Sequence, residues 1–214
     1  MARPKGVFIK NLYEAKDRIK RFLFDGVFEA VIGQPTTTGM WIIYGNEKNG
    51  KTWFALKLAD YMSRFASVLY VSAEEGTDGE FIEACERAKI PFDNRSLKFY
   101  EYTEIEVLDG MLSKKRAPKI VFIDNVTIYA DELKNGVLRK FTQKHADKLF
   151  VFLAHEDRKE PAGATAKLIK KLSKIIVRVQ GLACFVSGRC PGGVLTINEE
   201  KAQLCHGLTD LSQN

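Results

Sequence analysis

Residues 45–52 carry the residue types that bind a chain of phosphates. They match the pattern G-x-x-x-x-G-K-[ST] at every fixed position and read Gly45, Asn46, Glu47, Lys48, Asn49, Gly50, Lys51, Thr52. Backbone N–H groups of such a turn converge on an anion, and the helix that follows adds a positive dipole end. Lys51 would reach the β- and γ-phosphates, and the Thr52 hydroxyl would bind Mg²⁺. We therefore expect residues 45–52, with Trp53 at the helix start, to bind ATP and Mg²⁺.

Two carboxylates follow apolar, strand-like runs elsewhere in the chain. Residues 120–123 lead directly into Asp124, and Val68–Ser72 is followed closely by Glu74. Ligands of α/β sheets bind at the carboxyl ends of strands, so both acids are expected beside the phosphates. Asp124 would hold Mg²⁺ through water, and Glu74, rather than Glu75, would activate the attacking water. The alternative interpretation of each is an ordinary polar residue at a strand end.

His155 ends a third apolar run, residues 149–154. A polar side chain at that position can sense whether the γ-phosphate is present and pass this on to the loop that follows. A histidine with no functional role is the alternative interpretation.

The elements needed to position these residues alternate between strand and helix. Apolar runs predict strands at 40–44, 68–72, 97–102, 119–123 and 149–154, and helical spacing predicts helices at 53–65, 79–89, 104–112, 132–144 and 164–172. Alternation of this kind is typical of parallel βαβ units. Three consecutive strands, at 175–180, 183–187 and 194–198, predict antiparallel additions at one edge of the sheet. The predicted fold class is α/β, with a mainly parallel twisted sheet flanked by helices.

We expect three segments along the chain. Residues 1–35 are an N-terminal extension with an amphipathic helix at 10–24, which packs either on its own domain or on a neighbouring subunit. Residues 36–205 form the core, and residues 206–214 are a tail.

Composition limits the classes of protein to which the chain can belong. With 214 residues, 45% hydrophobic and 28% charged, it has the make-up of a globular domain. It contains no apolar run of the ~20 residues that cross a bilayer and no visible secretory signal, so we expect a cytoplasmic protein without membrane contact. The net charge of +6, with basic clusters such as residues 114–116, is compatible with a polyanionic partner. Three cysteines and a histidine near the C-terminus lack the spacing of common zinc modules: Cys184, Cys190, Cys205, His206.

These motifs, in this order, resemble the RecA-like P-loop ATPases, which include the RecA recombinases and the DnaB-type replicative helicases. Residues 45–52 resemble the recombinase form of the phosphate loop, including the acidic third residue. Ala73-Glu74 is similar to the position of the family's catalytic glutamate, and the segment ending in Asp124-Asn125 resembles its Walker B strand. The resemblance spans roughly residues 30–205 and implies an ATP-hydrolysing core without the family's larger accessory domains.

The resemblance also implies partners. His155 lies where many members carry a glutamine that links ATP state to DNA binding, and Arg158 and Lys159 lie in the place of the DNA-contacting loop. Arg189 lies in a turn like the one that sends a basic finger into a neighbouring subunit's site. These positions imply single-stranded DNA as partner, assembly as a hexameric ring or filament, and a role in DNA replication or recombination.

Two other classes of function remain open. One is a nucleotide-dependent binding switch, such as a helicase loader or annealing protein, which acts by association with little turnover. The other is a small-molecule kinase, which is disfavoured because residues 156–163 are too short for an arginine-rich lid.

Overall fold

The computed structural model of the chain describes residues 6–206. The tail expected at 206–214 lies outside this range, except that residue 206 ends the last helix. Among the described residues the strands are β1 (Gly39–Gly45), β2 (Val68–Ser72), β3 (Leu97–Glu101), β4 (Ile120–Asp124), β5 (Leu149–Asp157), β6 (Glu160–Pro161), β7 (Ile175–Gln180), β8 (Ala183–Gly188) and β9 (Gly193–Thr196). The helices are α1 (Ile9–Ala15), α2 (Gly26–Ile32), α3 (Lys51–Ser63), α4 (Gly79–Arg87), α5 (Ile105–Leu112), α6 (Ala130–Leu133), α7 (Val137–Lys144), α8 (Gly163–Leu172) and α9 (Glu199–His206).

The strands form one sheet in the order β3-β2-β4-β5-β1-β7-β8-β9, and the short β6 pairs with β5. The pairs from β3 to β7 are parallel, whereas β8 and β9 add antiparallel strands at one edge. This arrangement confirms the predicted α/β architecture.

Helices cover both faces of the sheet. One apolar cluster joins the sheet to α2, α3 and α4, and a second joins it to α5, α6, α7 and α8. Strands β2 and β4 are buried along their whole length because they are covered on both faces, which explains their continuous apolar sequences.

The N-terminal segment differs from the prediction of one helix over residues 10–24. Helix α1 ends at Ala15, a short 3-10 helix follows at Lys16–Arg18, and the chain is then extended. Phe22 and Phe24 are both buried in the core, which a spacing of two residues allows in extended chain. A second helix, α2, follows before the sheet begins.

Two further elements differ from their predictions. The helix expected at 132–144 is divided into α6 and α7, because Asn135 and Gly136 both adopt positive φ, 55° and 87°. The expected strand at 194–198 ends at Thr196, and α9 follows it.

Candidate nucleotide site

A cavity of about 590 Å³ opens at the carboxyl ends of β1, β2, β4 and β5. Most of the predicted site residues line it: Glu47, Lys48, Gly50, Lys51, Thr52, Trp53, Glu74, Asp124, His155. Predicted residues from four separate segments therefore meet at one edge of the sheet, where parallel strands place ligand sites.

The turn between β1 and α3 requires glycine at two positions. A Cβ atom on Gly45 would overlap the carbonyl group of Val179 on the neighbouring strand. Gly50 has φ +92°, and a Cβ atom there would lie 2.6 Å from the Leu182 side chain. Gly45 therefore lets the end of β1 lie close to β7, and Gly50 provides the left-handed backbone conformation before α3.

Asn49 connects this turn to the sheet through two hydrogen bonds. Its side-chain oxygen accepts a hydrogen bond of 2.7 Å from the Gly181 backbone N–H, and its carbonyl oxygen accepts one of 3.3 Å from Leu182. The turn between β7 and β8 thus supports the phosphate loop, and Leu182 forms part of the cavity wall.

Lys51 is buried at the start of α3 and its Nζ donates to the Asn46 carbonyl oxygen at 3.0 Å. Burial lowers the pKa of Lys51, while the charges of Asp124 and Glu74 oppose that shift. A desolvated ammonium is suited to bind a strongly charged anion, since the anion replaces the stabilisation that water would otherwise provide.

Asp124 lies opposite the phosphate turn. Its Oδ2 atom is 3.5 Å from the Thr52 hydroxyl oxygen and accepts a hydrogen bond of 2.6 Å from the hydroxyl group of Tyr70. Burial raises the pKa of Asp124 to about 7, with further contributions from the negative charges of Glu75 and Glu74.

Oxygen ligands of this kind suit Mg²⁺. Within residues 6–206 there is no group of three His, Cys, Asp or Glu residues that could hold a metal ion by themselves. Mg²⁺ usually binds through one or two protein oxygens together with substrate phosphates and water, so Thr52 and Asp124 fit it without a third protein ligand. Neither Cys184, which is fully buried, nor Cys190 belongs to a metal-binding group.

Glu74 is held by hydrogen bonds at both carboxylate oxygens. The Asn125 side-chain amide donates to Oε2 at 2.9 Å, and His155 Nε2 lies 3.2 Å from Oε1. Asn125 is itself buried and accepts a hydrogen bond of 2.9 Å from the Thr127 backbone N–H. The Glu74 carboxylate, which follows β2, therefore connects Asn125, which follows β4, with His155 on β5.

Arg158 and Lys159 lie at the tip of a tight hairpin between β5 and β6. Both have positive φ, 50° and 69°, as a two-residue hairpin turn requires. The acid Glu156 before them is neutralised by Arg178, which donates two hydrogen bonds of 2.8 and 2.7 Å to its carboxylate. Glu160 accepts two hydrogen bonds from Lys170, so the exposed tip carries the charges of Arg158 and Lys159 beside the exposed acid Asp157.

Arg189 lies at the other end of the sheet. It follows β8, whose last residue, Gly188, is paired with Ile175 at the start of β7. The Arg189 backbone N–H donates to the Lys174 carbonyl oxygen, and Lys174 in turn is bonded to Met40 at the start of β1. Arg189 and its own phosphate loop are therefore at opposite ends of β1.

The flagellar accessory protein FlaH from Methanocaldococcus jannaschii has a similar structure, with a TM-score of 0.63 and 15% sequence identity. The similarity covers 84% of this chain and 95% of the FlaH chain. No family model and no curated protein matches the sequence. The likeness confirms the predicted RecA-like fold, whereas placement among the recombinases or helicases stays a prediction.

Two residues of the site have no role predicted from the sequence. They are Tyr70, which donates a hydrogen bond to Asp124, and Asn125, which donates one to Glu74. A tyrosine in the middle of a buried strand is a detectable signal, because its hydroxyl group needs a partner. Which partner it finds depends on the pairing of β2 with β4, where Tyr70 lies beside Phe122.

No helix among residues 6–206 combines the length and the apolar character that crossing a bilayer demands.

Proposed function

We propose that this protein binds Mg·ATP at the carboxyl edge of its sheet and hydrolyses it. The observation that carries the proposal is the meeting of Thr52 and Asp124, whose oxygens lie 3.5 Å apart beside the buried Lys51. A phosphate turn and a metal-binding carboxylate at this spacing form the two sides of a nucleotide site.

Each side chain has a distinct role in the proposed reaction. Lys51 and the backbone N–H groups of the turn bind the phosphate oxygens. Thr52 and Asp124 would hold Mg²⁺, which would neutralise negative charge on the phosphate oxygens. Glu74 accepts a proton from the attacking water. Asn125 and His155 support this role because their hydrogen bonds fix the orientation of the Glu74 carboxylate.

The same contacts support coupling between the nucleotide and the hairpin tip at Arg158 and Lys159. His155 contacts Glu74 through its ring, and its carbonyl oxygen accepts a hydrogen bond of 2.8 Å from Ala162, at the far end of the hairpin. We propose that the tip contacts the phosphates of single-stranded DNA, and that loss of the γ-phosphate changes the position of the hairpin through His155.

Oligomeric assembly completes the proposal. Because Arg189 lies at the opposite end of the sheet from its own phosphate loop, it can act on a nucleotide only in a neighbouring subunit. A ring or filament of head-to-tail contacts would bring the two ends together. A role in replication or recombination would follow from DNA-dependent turnover in such an assembly.

Calorimetry with Mg·ATP tests the binding site. Wild-type protein should bind, and Lys51→Ala, which removes the positive charge, should bind at least about tenfold more weakly, since a hydrogen bond to a charged group contributes about 1.5–3 kcal/mol. Thr52→Ala is the second variant, and circular dichroism checks that both fold. Absence of binding heat in the wild-type protein would refute the proposal.

ATPase assays test turnover, assembly and DNA coupling together. The rate per subunit should rise with protein concentration and with single-stranded DNA, and Arg158→Ala/Lys159→Ala should lose only the response to DNA. Binding with negligible turnover under every condition would instead favour the nucleotide-dependent switch. A rate per subunit that stays constant and ignores DNA would contradict both the assembly and the DNA proposal.

A further inference from the structure

A basic groove lies at the amino ends of β2, β3, β4 and β5, on the opposite edge of the sheet from the nucleotide cavity. It consists of two neighbouring cavities of about 310 Å³ each, which share Lys114 and Ala117 as lining residues. One cavity follows the edge strand β3, and the other lies between the C-terminal ends of α5 and α7.

The charge of the groove is strongly one-sided. Eight cations line the two cavities: Arg95, Lys98, Lys114, Lys115, Arg116, Lys119, Lys144, Lys148. Asp147 is the only acidic lining residue in this part of the described chain, and it pairs with Lys119 and Lys148. Lys144 pairs with Asp109, just outside the groove.

Five of these cations have no ion pair among residues 6–206. They are Arg95, Lys98, Lys114, Lys115 and Arg116, and all five are exposed. They come from two separate loops and an edge strand, so the fold brings together charges that are dispersed in the sequence. Uncompensated positive charge of this density favours a polyanion as partner.

The groove rests on a rigid base. The backbone N–H of Val68 donates to the Ser96 carbonyl oxygen at 2.7 Å, that of Lys119 donates to Ser67 at 3.0 Å, and that of Leu149 donates to Lys119 at 2.9 Å. These bonds tie the starts of four neighbouring strands side by side, so the backbone from which the cations extend is already ordered before a ligand binds.

An aromatic side chain and an apolar floor accompany the charges. Tyr100 is exposed and lies two residues after Lys98 on the edge strand, so both face the groove, whose floor includes Leu69, Met111 and Pro118. Cations that follow a phosphate backbone, together with an aromatic ring for a base, are the combination that binds single-stranded nucleic acids.

We propose that the basic groove binds single-stranded nucleic acid, with Arg95, Lys98, Lys114 and Arg116 on the phosphates and Tyr100 stacked on a base. The groove is separate from the hairpin tip at residues 158–159, which lies at the carboxyl edge of the sheet. Binding here needs no nucleotide, so it stands or falls independently of the proposed ATPase activity.

Fluorescence anisotropy with a labelled single-stranded oligonucleotide of about 16 nucleotides, at the upper end of common site sizes, measures this binding without ATP. Lys114→Ala/Arg116→Ala should weaken binding at least tenfold, and the slope of log affinity against log salt should fall by about 1.4, which is two phosphate contacts at about 0.7 each. The matched control is Lys16→Ala/Lys20→Ala, which removes the same charge from exposed positions near α1 and should stay within about twofold of wild type.

Tyr100 provides a second readout that net charge does not affect. Tyr100→Ala should weaken binding about tenfold because a stacked base is lost, whereas Tyr100→Phe should bind like wild type. The phosphate-loop variant Lys51→Ala should also bind the oligonucleotide normally, and the groove variant should bind Mg·ATP normally, so failure of one proposal is distinguished from failure of the other.

Several outcomes would overturn the proposal. Equal losses of oligonucleotide affinity in the groove variant and in the control variant would show that only net charge matters. Tighter binding of duplex than of single strand, or complete loss of binding in Arg158→Ala/Lys159→Ala, would place recognition elsewhere. Unchanged oligonucleotide binding in the groove variant, with loss of binding to a polyglutamate peptide, would assign the groove to an acidic protein.

Discussion

The carboxylates of Glu74 and Glu75 differ in their hydrogen bonds. Both of its oxygens are bonded, to Asn125 and to His155, whereas the side chain of Glu75 has no hydrogen bond of this kind in the described structure. Burial raises the pKa of Glu75, to which the charge of Glu74 also contributes. The two neighbouring acids line the same cavity, so their roles need a direct comparison.

Replacing Glu74 by Gln should separate binding from turnover. We expect the ATPase rate to fall by about 10²–10⁴-fold, because the amide cannot accept a proton, while affinity for Mg·ATP changes by only a few fold. Steady-state kinetics and calorimetry give the two values. Glu75→Gln is the matched control and should keep most of the rate, and the reverse pattern would assign the base to Glu75.

At the scale of elements, the N-terminal segment contains two parts with different physical roles. Helix α1 has no buried residue, and Phe8 beside it is 81% exposed. Phe24, further along, is 3% exposed and packs against Tyr61, Phe65 and Trp41, with ring centroids 5.1, 5.4 and 6.4 Å away. The second part belongs to the core, although the sequence pattern had suggested one continuous helix.

This difference predicts that replacement of phenylalanine by alanine affects stability very unequally in the two parts. Phe24→Ala should lower the free energy of unfolding by about 3–5 kcal/mol, since it leaves a cavity among aromatic rings. Phe8→Ala should change it by less than about 0.5 kcal/mol. Urea denaturation measures both, and a large loss for Phe8→Ala would show that α1 packs on its own domain.

Helices α5 and α7 are joined by a charged cluster at their C-terminal ends. Asp109 accepts hydrogen bonds from Lys144 and from the buried His145, the latter at 2.9 Å. The hydrogen bond from Lys144, followed by that from His145, lowers the pKa of Asp109 below its ordinary value of 3.8. The ionised form is therefore favoured in the folded protein.

Stability should consequently depend on pH through Asp109. A lowered folded pKa stabilises the protein fully above 3.8, and this contribution is lost as pH falls through the folded value. We expect the difference in unfolding free energy between wild type and Asp109→Asn to keep its full value from neutrality down to the ordinary pKa of 3.8 and to shrink as the pH falls below it. Urea denaturation over a pH series measures it, with Asp131→Asn, in an exposed pair with Lys134, as a control that shows little difference at any pH. A difference for Asp109→Asn that is constant with pH would contradict this account.

At the scale of the whole molecule, the two edges of the sheet carry different groups. The nucleotide cavity lies at the carboxyl edge, whereas Arg189 and the basic groove lie at the amino edge. Strand β1 separates Arg189 from its own phosphate loop by roughly 15 Å at about 3.3 Å per residue. Arg189 is therefore remote from the phosphate loop of its own subunit.

Mixing inactive variants tests whether Arg189 acts between subunits. Arg189→Ala and Lys51→Ala should each be nearly inactive, but a 1:1 mixture should recover about a quarter of the wild-type rate, because an intact site then meets an intact arginine at random contacts. ATPase assays of mixtures measure this. A mixture of Lys51→Ala with Glu74→Gln should stay inactive, and lack of recovery in the first mixture would contradict action of Arg189 between subunits.

The sequence alone determined the parts of the site that depend on local chain geometry. Gly45, Gly50, Lys51 and Thr52 lie in a turn whose shape follows from their spacing, and Asp124 follows a short apolar run, which predicts a buried strand. The alternation of strands and helices then implied a parallel sheet, which brings the strand ends together.

Tertiary structure decided what depends on contacts between distant segments. The partners of Tyr70 and Asn125 follow from strand order and register, which sequence periodicity does not specify. Contacts between distant segments also explain three other features. They bring Phe22 and Phe24 into the core, place Arg189 far from its own phosphate loop, and gather dispersed lysines and arginines into one groove. Local pattern limits the conformation of each segment, whereas packing of the whole chain selects which segments meet.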